Sequence, residues 1–102
     1  MEIRTGTIRF NRHRGSGPRA DDAEVVFSAP VTQAVAILRG FDVGFSPRSD
    51  HHLGNVEVRL DASIDPLAPQ RVNVDAVFGL RDWSGDWDDR YEGEIHFTVV
   101  AE

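Results

Sequence analysis

Alternation of apolar and polar residues with a period of two restricts the fold of this chain more than any other feature. In residues 55–62, Val56, Val58 and Leu60 alternate with charged side chains. Residues 71–82 repeat the pattern over a longer stretch. Successive side chains of a β-strand point to opposite faces, so each segment is predicted to be a strand with one face in the core and one in water.

An unbroken apolar run, residues 34–38, predicts a different kind of strand. The run has no polar face, so we expect it to be covered on both sides as a central strand over residues 33–39. The run is short and Gly40 follows soon after it, which favours a strand over a helix.

Three weaker patterns complete the predicted strands, at residues 2–10, 23–28 and 94–101. The first is expected to be an edge strand with a bulge at Gly6. Residues 11–22 are polar and interrupted by Gly and Pro, which predicts a loop or a mobile arm. Residues 63–70 predict a turn, and residues 82–93 predict a long hairpin tip.

Six strands and no helical pattern predict an all-β fold, an antiparallel sandwich or barrel. The 102 residues are enough for one domain and too few for two. We therefore expect residues 1–102 to form one domain around a single apolar core. The side chains expected in that core are Val25, Phe27, Val35, Ile37, Val56, Val58, Leu60, Val72, Val74, Phe78, Ile95, Phe97 and Val99.

The net charge of −6 argues against a nucleic-acid partner, because phosphate binding needs a basic surface. The chain has no Cys, which excludes disulfides and thiolate metal sites. No apolar stretch approaches the roughly 20 residues of a membrane span, and the N-terminal residues lack the apolar part of a signal peptide. The compartment stays open, and export by another route or as part of a longer polypeptide is compatible with this sequence.

The charges are unevenly distributed along the chain. Residues 1–20 carry five Arg against Glu2, and residues 82–102 carry seven acids against Arg90. Two interpretations are open: an ordinary solvated surface, or complementary charges across a contact between subunits.

The triplet Asp50-His51-His52 is half of a metal site at most. Zinc requires three or four protein ligands, and adjacent His side chains on an extended chain point in opposite directions. The remaining His residues are His13 and His96, and nothing in the sequence brings them close. We expect one of the paired His to pack under the loop, or the pair to contact a ligand, rather than to bind zinc.

Three acids near the C-terminus, Asp86, Asp88 and Asp89, raise the question of calcium. An EF-hand loop counted from Asp86 would need Gly and Glu at positions that hold Tyr91 and Phe97, so that motif is absent. An irregular calcium site and a charged tip that prevents edge aggregation are the remaining interpretations.

Catalysis is not expected, because no nucleophile–base–carboxylate order and no phosphate-binding glycine motif is present. The chain is therefore not expected to be an enzyme, and no cofactor or metal is expected. Three aromatic residues, Trp83, Trp87 and Tyr91, instead stand among Gly, Ser and Asp. Aromatic faces beside polar groups suit sugars, although one or two of these rings could equally close the end of a sandwich.

The order of the segments resembles the H-type lectin domain over most of the chain, from about Ile3 to Glu102. The segments that carry the resemblance are A-E-V-V-F-S-A-P, an aliphatic strand ending in G-F-D-V, N-V-E-V-R-L, D-W-S-G and Y-E-G-E-I-H-F-T-V-V-A-E. The resemblance implies a six-stranded antiparallel β-sandwich that forms a trimer or a hexamer of two stacked trimers. It also implies that galactose or N-acetylgalactosamine binds in clefts between subunits.

The resemblance implies a set of sugar-binding residues. Trp83 and Tyr91 correspond to a Trp and a Tyr of the family's pocket. Ser84 stands where the family has a His, and Asn55 stands where it has an Arg. An acid from the N-terminal loop corresponds to Asp22, with Asp21 as the alternative.

The loop of residues 42–55 is longer than its counterpart in the snail agglutinins of this family. Our hypothesis is that Arg48, His51 and His52 supply the hydrogen-bond donors that the family takes from Arg and His, with Asp50 beside them. The sequence thus predicts a glycan-binding module that acts as a multivalent trimer or hexamer. The alternative is a structural or oligomerisation module of a larger protein, with no working sugar site.

Overall fold

The computed structural model describes residues 1–14, 18–45, 53–82 and 90–102, and for residues 12–14 and 90 it describes the backbone alone. The described chain is all-β. Its strands are β1 (Glu2–Arg14), β2 (Arg19–Val26), β3 (Ala34–Phe45), β4 (Leu53–Ile64), β5 (Arg71–Asp82) and β6 (Arg90–Ala101).

The six strands form two antiparallel three-stranded sheets, which confirms the predicted all-β fold. Sheet I has the order β1-β6-β3, and sheet II has the order β2-β5-β4. The central strands are therefore β6 and β5. The sheets pack face to face as a sandwich, because the inward side chains of β5 and β6 are both fully buried. The described part of the chain contains no helix that is long and apolar enough to cross a membrane.

The turn between β4 and β5 forms the one hairpin between consecutive strands within the described elements. The Asp65 carboxylate accepts a hydrogen bond from the Leu67 N–H at 2.9 Å, and the Ala68 N–H donates to the Asp65 carbonyl at 3.2 Å. In turns, an Asp carboxylate commonly accepts a hydrogen bond from the backbone N–H two residues ahead. The predicted turn at residues 63–70 is thus present, and β4 extends two residues into its start.

The core consists of the inward faces of β5 and β6 with side chains from the edge strands and the connection before β3. Seven of the expected core residues are buried: Phe27, Val72, Val74, Phe78, Ile95, Phe97 and Val99. Val25, Val58 and Leu60 are partly buried against them. The expectation was wrong for Val35, Ile37 and Val56, whose side chains are exposed.

The strand predicted to be central, residues 33–39, is an edge strand. It belongs to β3, which pairs with β6 on one side and ends sheet I on the other. Ala34 and Ala36 point toward the core, whereas Val35 and Ile37 point outward on the uncovered face. The unbroken apolar run identified a strand correctly, but a run of this kind does not reveal what covers its second face.

The N-terminal region is more regular than its polar composition suggested. β1 continues to Arg14 and β2 begins at Arg19, so the expectation of a loop or arm over residues 11–22 was wrong for most of that stretch. Strand β1 is an edge strand as predicted. Its irregularity lies between Phe10 and His13, whereas Gly6 pairs in regular register with Phe97.

Strands β5 and β6 do not pair with each other as the expected hairpin at residues 82–93 would require, because they belong to different sheets. β5 is the centre of sheet II, and β6 is the centre of sheet I. Residues 83–89, which include the acids considered for calcium, lie outside the described residues.

Candidate functional site

A polar cleft of about 540 Å³ opens where four strands come together. Strand β1 provides three consecutive residues, β2 provides two, β3 provides one and β6 provides three. The lining residues are Arg9, Phe10, Asn11, Arg19, Asp21, Asp42, Glu92, Gly93 and Glu94. Its volume falls within the range of small-molecule sites, roughly 300–1,000 Å³.

Arg19 lines this cleft and is held there by several contacts. Its guanidinium donates hydrogen bonds to the Asn11 carbonyl at 2.7 Å, the Asn11 side-chain oxygen at 3.0 Å and the Tyr91 carbonyl at 3.0 Å. The same group stacks over the rings of Phe10 and Tyr91, at 5.4 and 5.5 Å from the ring centres. A guanidinium has five N–H donors, so these bonds leave two directed elsewhere.

The outer wall of the cleft is a row of charged residues across sheet I. Glu94 of β6 pairs with Arg9 of β1 on one side and with Asp42 of β3 on the other. The Arg9 Nε donates to Glu94 Oε1 at 3.0 Å. Because β1 pairs with β6, the basic N-terminal and acidic C-terminal segments meet within one chain here. This ion pair is exposed, so its contribution to stability is small.

Two carboxylates, Asp42 and Glu94, stand directly opposite each other in this row. Like charges opposite each other on antiparallel strands are destabilising. The described residues that line the cleft carry four carboxylates and two guanidinium groups. It therefore presents an excess of hydrogen-bond acceptors, which fits a ligand rich in hydroxyl or amine donors.

His96 lies two residues after Glu94 on β6, and its side chain contacts both Glu94 and Thr7 of β1. Its Nδ1 lies 2.8 Å from the Thr7 hydroxyl oxygen in a hydrogen bond, and its Nε2 lies 3.6 Å from Glu94 Oε2. A hydroxyl, an imidazole and a carboxylate thus follow one another in the order of a catalytic triad. The longer distance exceeds that of a hydrogen bond, so Glu94 does not orient the imidazole as a triad carboxylate would.

Tyr91, predicted to contact sugar, lies in the core of the described chain. Its side chain is fully buried, and its ring meets that of Phe78 edge-on with 5.1 Å between centres. Its hydroxyl donates to the Phe78 carbonyl at 3.5 Å. Burial raises the pKa of the Tyr91 phenol, and the nearby Arg19 charge partly opposes that rise. Tyr91 is connected to a cleft residue through its backbone carbonyl, which accepts a hydrogen bond from Arg19.

The other described site residues lie apart from one another. Asp22 is exposed on β2 and pairs with Asp75, whereas Asn55 is exposed on β4 and pairs with Arg81. The two partners are six residues apart on β5, a separation of about 20 Å. Asp21, the alternative to Asp22, points the other way and lines the cleft. The remaining predicted site residues, which lie outside the described residues, are Arg48, Asp50, His51, His52, Trp83 and Ser84.

Most of the cleft residues were not singled out from the sequence. Arg9 and Glu94 are 85 positions apart and carry no local motif. Arg9 and Glu94 could be brought together only by knowing that β1 pairs with β6, and the sequence does not specify this pairing. Within the described residues, no three His, Asp or Glu side chains are grouped as metal ligands would be.

Comparison with known proteins gives no relative for this chain. No family model, curated protein or solved structure matches it.

Proposed function

We propose that this chain is a carbohydrate-binding module that acts as a multivalent oligomer. The observation that supports the proposal is the polar cleft between the ends of β1, β2, β3 and β6. It offers carboxylate acceptors from Asp21, Asp42 and Glu94 next to guanidinium donors. Sugar hydroxyl groups both donate and accept hydrogen bonds, so a mixed set of this kind can satisfy several hydroxyls at once.

The ligand class is taken from the resemblance to the H-type lectin domain, and the mixed donors and acceptors of the cleft are compatible with it. We propose a glycan ending in galactose or N-acetylgalactosamine. A single open, solvated cleft gives weak binding, because each hydrogen bond to the sugar replaces one to water. Several copies on a trimer or hexamer raise the effective affinity through multivalency, without new contacts.

A glycan array followed by calorimetry with the best glycan tests this proposal. Glu94→Gln and Asp42→Asn keep the shape of each side chain and remove its charge. Each variant is expected to weaken binding about tenfold or more, since hydrogen bonds to charged groups contribute about 1.5–3 kcal/mol. Asp61→Asn, on the exposed face of β4, is the matched control and should bind like the native chain.

The same experiment separates the cleft from the loop residues predicted earlier. His52→Ala and Trp83→Ala test the second location. If these two variants lose glycan binding while Glu94→Gln and Asp42→Asn bind like the native chain, the carbohydrate-binding function would stand. The cleft would then be rejected as the binding site. An array without any bound glycan would reject the carbohydrate-binding proposal.

A structural or oligomerisation module is the second candidate, and a different observation favours it. Large apolar side chains are exposed along β3, where they do not contribute to the stability of a single chain. A chain that assembles but binds nothing on the array would support this function. Both candidates require self-association, so glycan binding is the property that distinguishes them.

A further inference from the structure

Arg19 connects the two sheets at the polar cleft. It lies on β2 of sheet II, and its guanidinium donates hydrogen bonds to Asn11 of β1 and Tyr91 of β6, both in sheet I. Two of the three acceptors are backbone carbonyls, and the buried rings of Phe10 and Tyr91 lie against the same group. Arg19 is therefore held in place before a ligand arrives, which reduces the entropic cost of ordering it on binding.

The irregularity of β1 supplies two of these acceptors. The register between β1 and β6 shifts between Phe10 and His13, and Asn11 has no partner residue in it. The carbonyl and the side-chain oxygen of Asn11 both accept from Arg19, at 2.7 and 3.0 Å. Bulges are common next to binding sites, where they change the direction of a side chain. In this chain the irregularity provides an acceptor pair that fixes a guanidinium.

The contacts of Arg19 occupy one end of its guanidinium. The Asn11 and Tyr91 carbonyls accept from Nη1, and the Asn11 side chain accepts from Nη2. Within the described chain, the Nε–H and the second Nη2–H donate to no protein acceptor. Nε and Nη2 lie on the same edge of the planar group, so their N–H groups form a fork that can hold two neighbouring oxygen atoms.

Asp21 presents an acceptor on the same side of β2 as this edge. It lies two residues after Arg19, about 7 Å along the strand, and both side chains point to the same face. Both residues line the cleft. Asp21 Oδ1 accepts a hydrogen bond from the Asp22 N–H at 2.8 Å, whereas Oδ2 accepts none within the described residues. The cleft therefore holds a donor edge and an acceptor that do not satisfy each other.

The charge of the cleft decides which oxygen atoms the Arg19 edge can take. A carboxylate or a sulfate fits a guanidinium fork, but an anion would face the four carboxylates of the lining residues. Arg9 offsets them little, because it is already paired with Glu94 at 3.0 Å. A hydroxyl group is neutral, and it can accept from a guanidinium and donate to a carboxylate at the same time. Two hydroxyls on adjacent carbon atoms place their oxygens side by side, as the fork requires.

We propose that Arg19 selects the ligand of the cleft by donating its Nε–H and Nη2–H to two hydroxyl oxygens on adjacent carbons of one sugar ring. One of these hydroxyls donates in turn to Oδ2 of Asp21. This inference rests on the proposed carbohydrate-binding function. It adds to that function a binding residue, Arg19, and a chemical requirement, a neutral sugar with two adjacent free hydroxyls.

A nuclear magnetic resonance titration of the isotope-labelled native chain tests the proposal. The probes are the methyl glycosides of galactose and N-acetylgalactosamine, with the 3-deoxy and 6-deoxy derivatives of each. Removing the 3-hydroxyl leaves no adjacent pair of free hydroxyls on either sugar, whereas removing the 6-hydroxyl leaves every adjacent pair intact. The native chain is expected to bind the 3-deoxy sugar about tenfold or more weakly than the parent, and the 6-deoxy sugar within about threefold of it. The Nε–H signal of Arg19 should shift with the parent and the 6-deoxy sugar, but not with the 3-deoxy sugar.

Arg19→Lys separates the fork from the charge. Lys keeps a positive charge but has no planar edge that holds two oxygens. In this variant the parent and the 3-deoxy sugar should bind within about threefold of each other, because the interaction that distinguishes them is gone. A purely structural role of Arg19 would lower both affinities and leave their ratio unchanged. Arg71→Lys, at the exposed start of β5, is the matched control and should keep the native ratio.

The outcomes separate this inference from the proposed function. Equal binding of the parent and 3-deoxy sugars, an Arg19 Nε–H signal that the parent sugar does not shift, or a native ratio in folded Arg19→Lys would reject the role of Arg19. The carbohydrate-binding function would still stand in each case. Tighter binding of methyl galacturonoside than of methyl galactoside would place a carboxylate, rather than a hydroxyl pair, on the Arg19 edge. A chain that binds neither parent sugar and no glycan on the array would reject the proposed function, and this inference with it.

Discussion

Gly6 of β1 is restricted by one neighbour, the ring of Phe97. An added Cβ at Gly6 would overlap the Phe97 ring, which is itself fully buried among core side chains. The ring cannot move aside, because close-packed interiors have few voids. The role of this glycine is therefore to make room for an aromatic ring from the central strand of its sheet, rather than to form the bulge expected from the sequence.

We predict that Gly6→Ala lowers the free energy of unfolding by about 1–3 kcal/mol through overpacking. Gly40→Ala is the matched control, since its added methyl group meets open space in the isolated chain. Alanine at that position should be neutral or slightly stabilising, because Gly weakens a strand through its greater backbone entropy. Urea unfolding at a concentration where the chain is monomeric measures both. Equal destabilisation by the two substitutions would contradict the assigned role of Phe97.

At the scale of single residues, alternation in the sequence identified much of the core. The residues of β5 alternate cleanly, and Val72, Val74 and Phe78 are buried as expected. Tyr91 was expected near a sugar because it stands among polar residues, yet its ring packs against Phe78. Local composition reports the polarity of neighbours in sequence, whereas burial depends on neighbours in space.

At the scale of elements, strand ends were harder to predict than strands. β5 has the predicted bounds because one strand flanks it on each side and its alternation runs its full length. β1 and β2 extend into residues whose composition is typical of loops, since pairing with a central strand fixes them. The cleft could not be predicted, because Arg9, Arg19 and Glu94 come together only through the order of strands in the sheets.

The start of β1 is attached to the connection between β2 and β3 by Glu2. Its carboxylate accepts hydrogen bonds from the Ser28 hydroxyl and backbone N–H, and it forms an ion pair with Arg4 at 2.8 Å. The Ser28 hydroxyl bond is the main cause that lowers the pKa of Glu2 below its ordinary value of 4.5. The ionised carboxylate therefore links an edge strand of sheet I to the chain that leaves sheet II.

We predict an acid-sensitive contribution of Glu2 to stability. Its pKa is lower in the folded state, so the contribution is complete above 4.5 and is lost as the pH falls through the folded value. Glu2→Gln should therefore melt below the native chain at neutral pH and approach it in strong acid. Thermal unfolding at several pH values measures the difference. A constant gap between the two proteins across this range would show that the Glu2 charge has no stabilising role.

At the scale of the whole molecule, the chain exchanges sheets at most of its connections. Among the described strands, β4 and β5 are the one consecutive pair within a sheet, whereas β1, β3 and β6 assemble into sheet I from distant parts of the sequence. Alternation predicts strands and their inward faces, and from these the sandwich or barrel class follows. The partner of each strand is decided by long-range packing, which a pattern of single residues does not record.

The pairing of β1 with β6 also places the two chain ends side by side. Glu2 lies opposite Ala101, and the Glu102 backbone is bonded to Gln33 beside them. Opposite positions on neighbouring antiparallel strands are about 5 Å apart, so a short glycine linker can join residues 1 and 102 into a ring. We predict that such a circular permutant, opened between Pro66 and Leu67, the exposed residues of the β4–β5 turn, folds with the native circular dichroism spectrum. The fold of the sandwich would then not depend on the position at which the chain begins and ends.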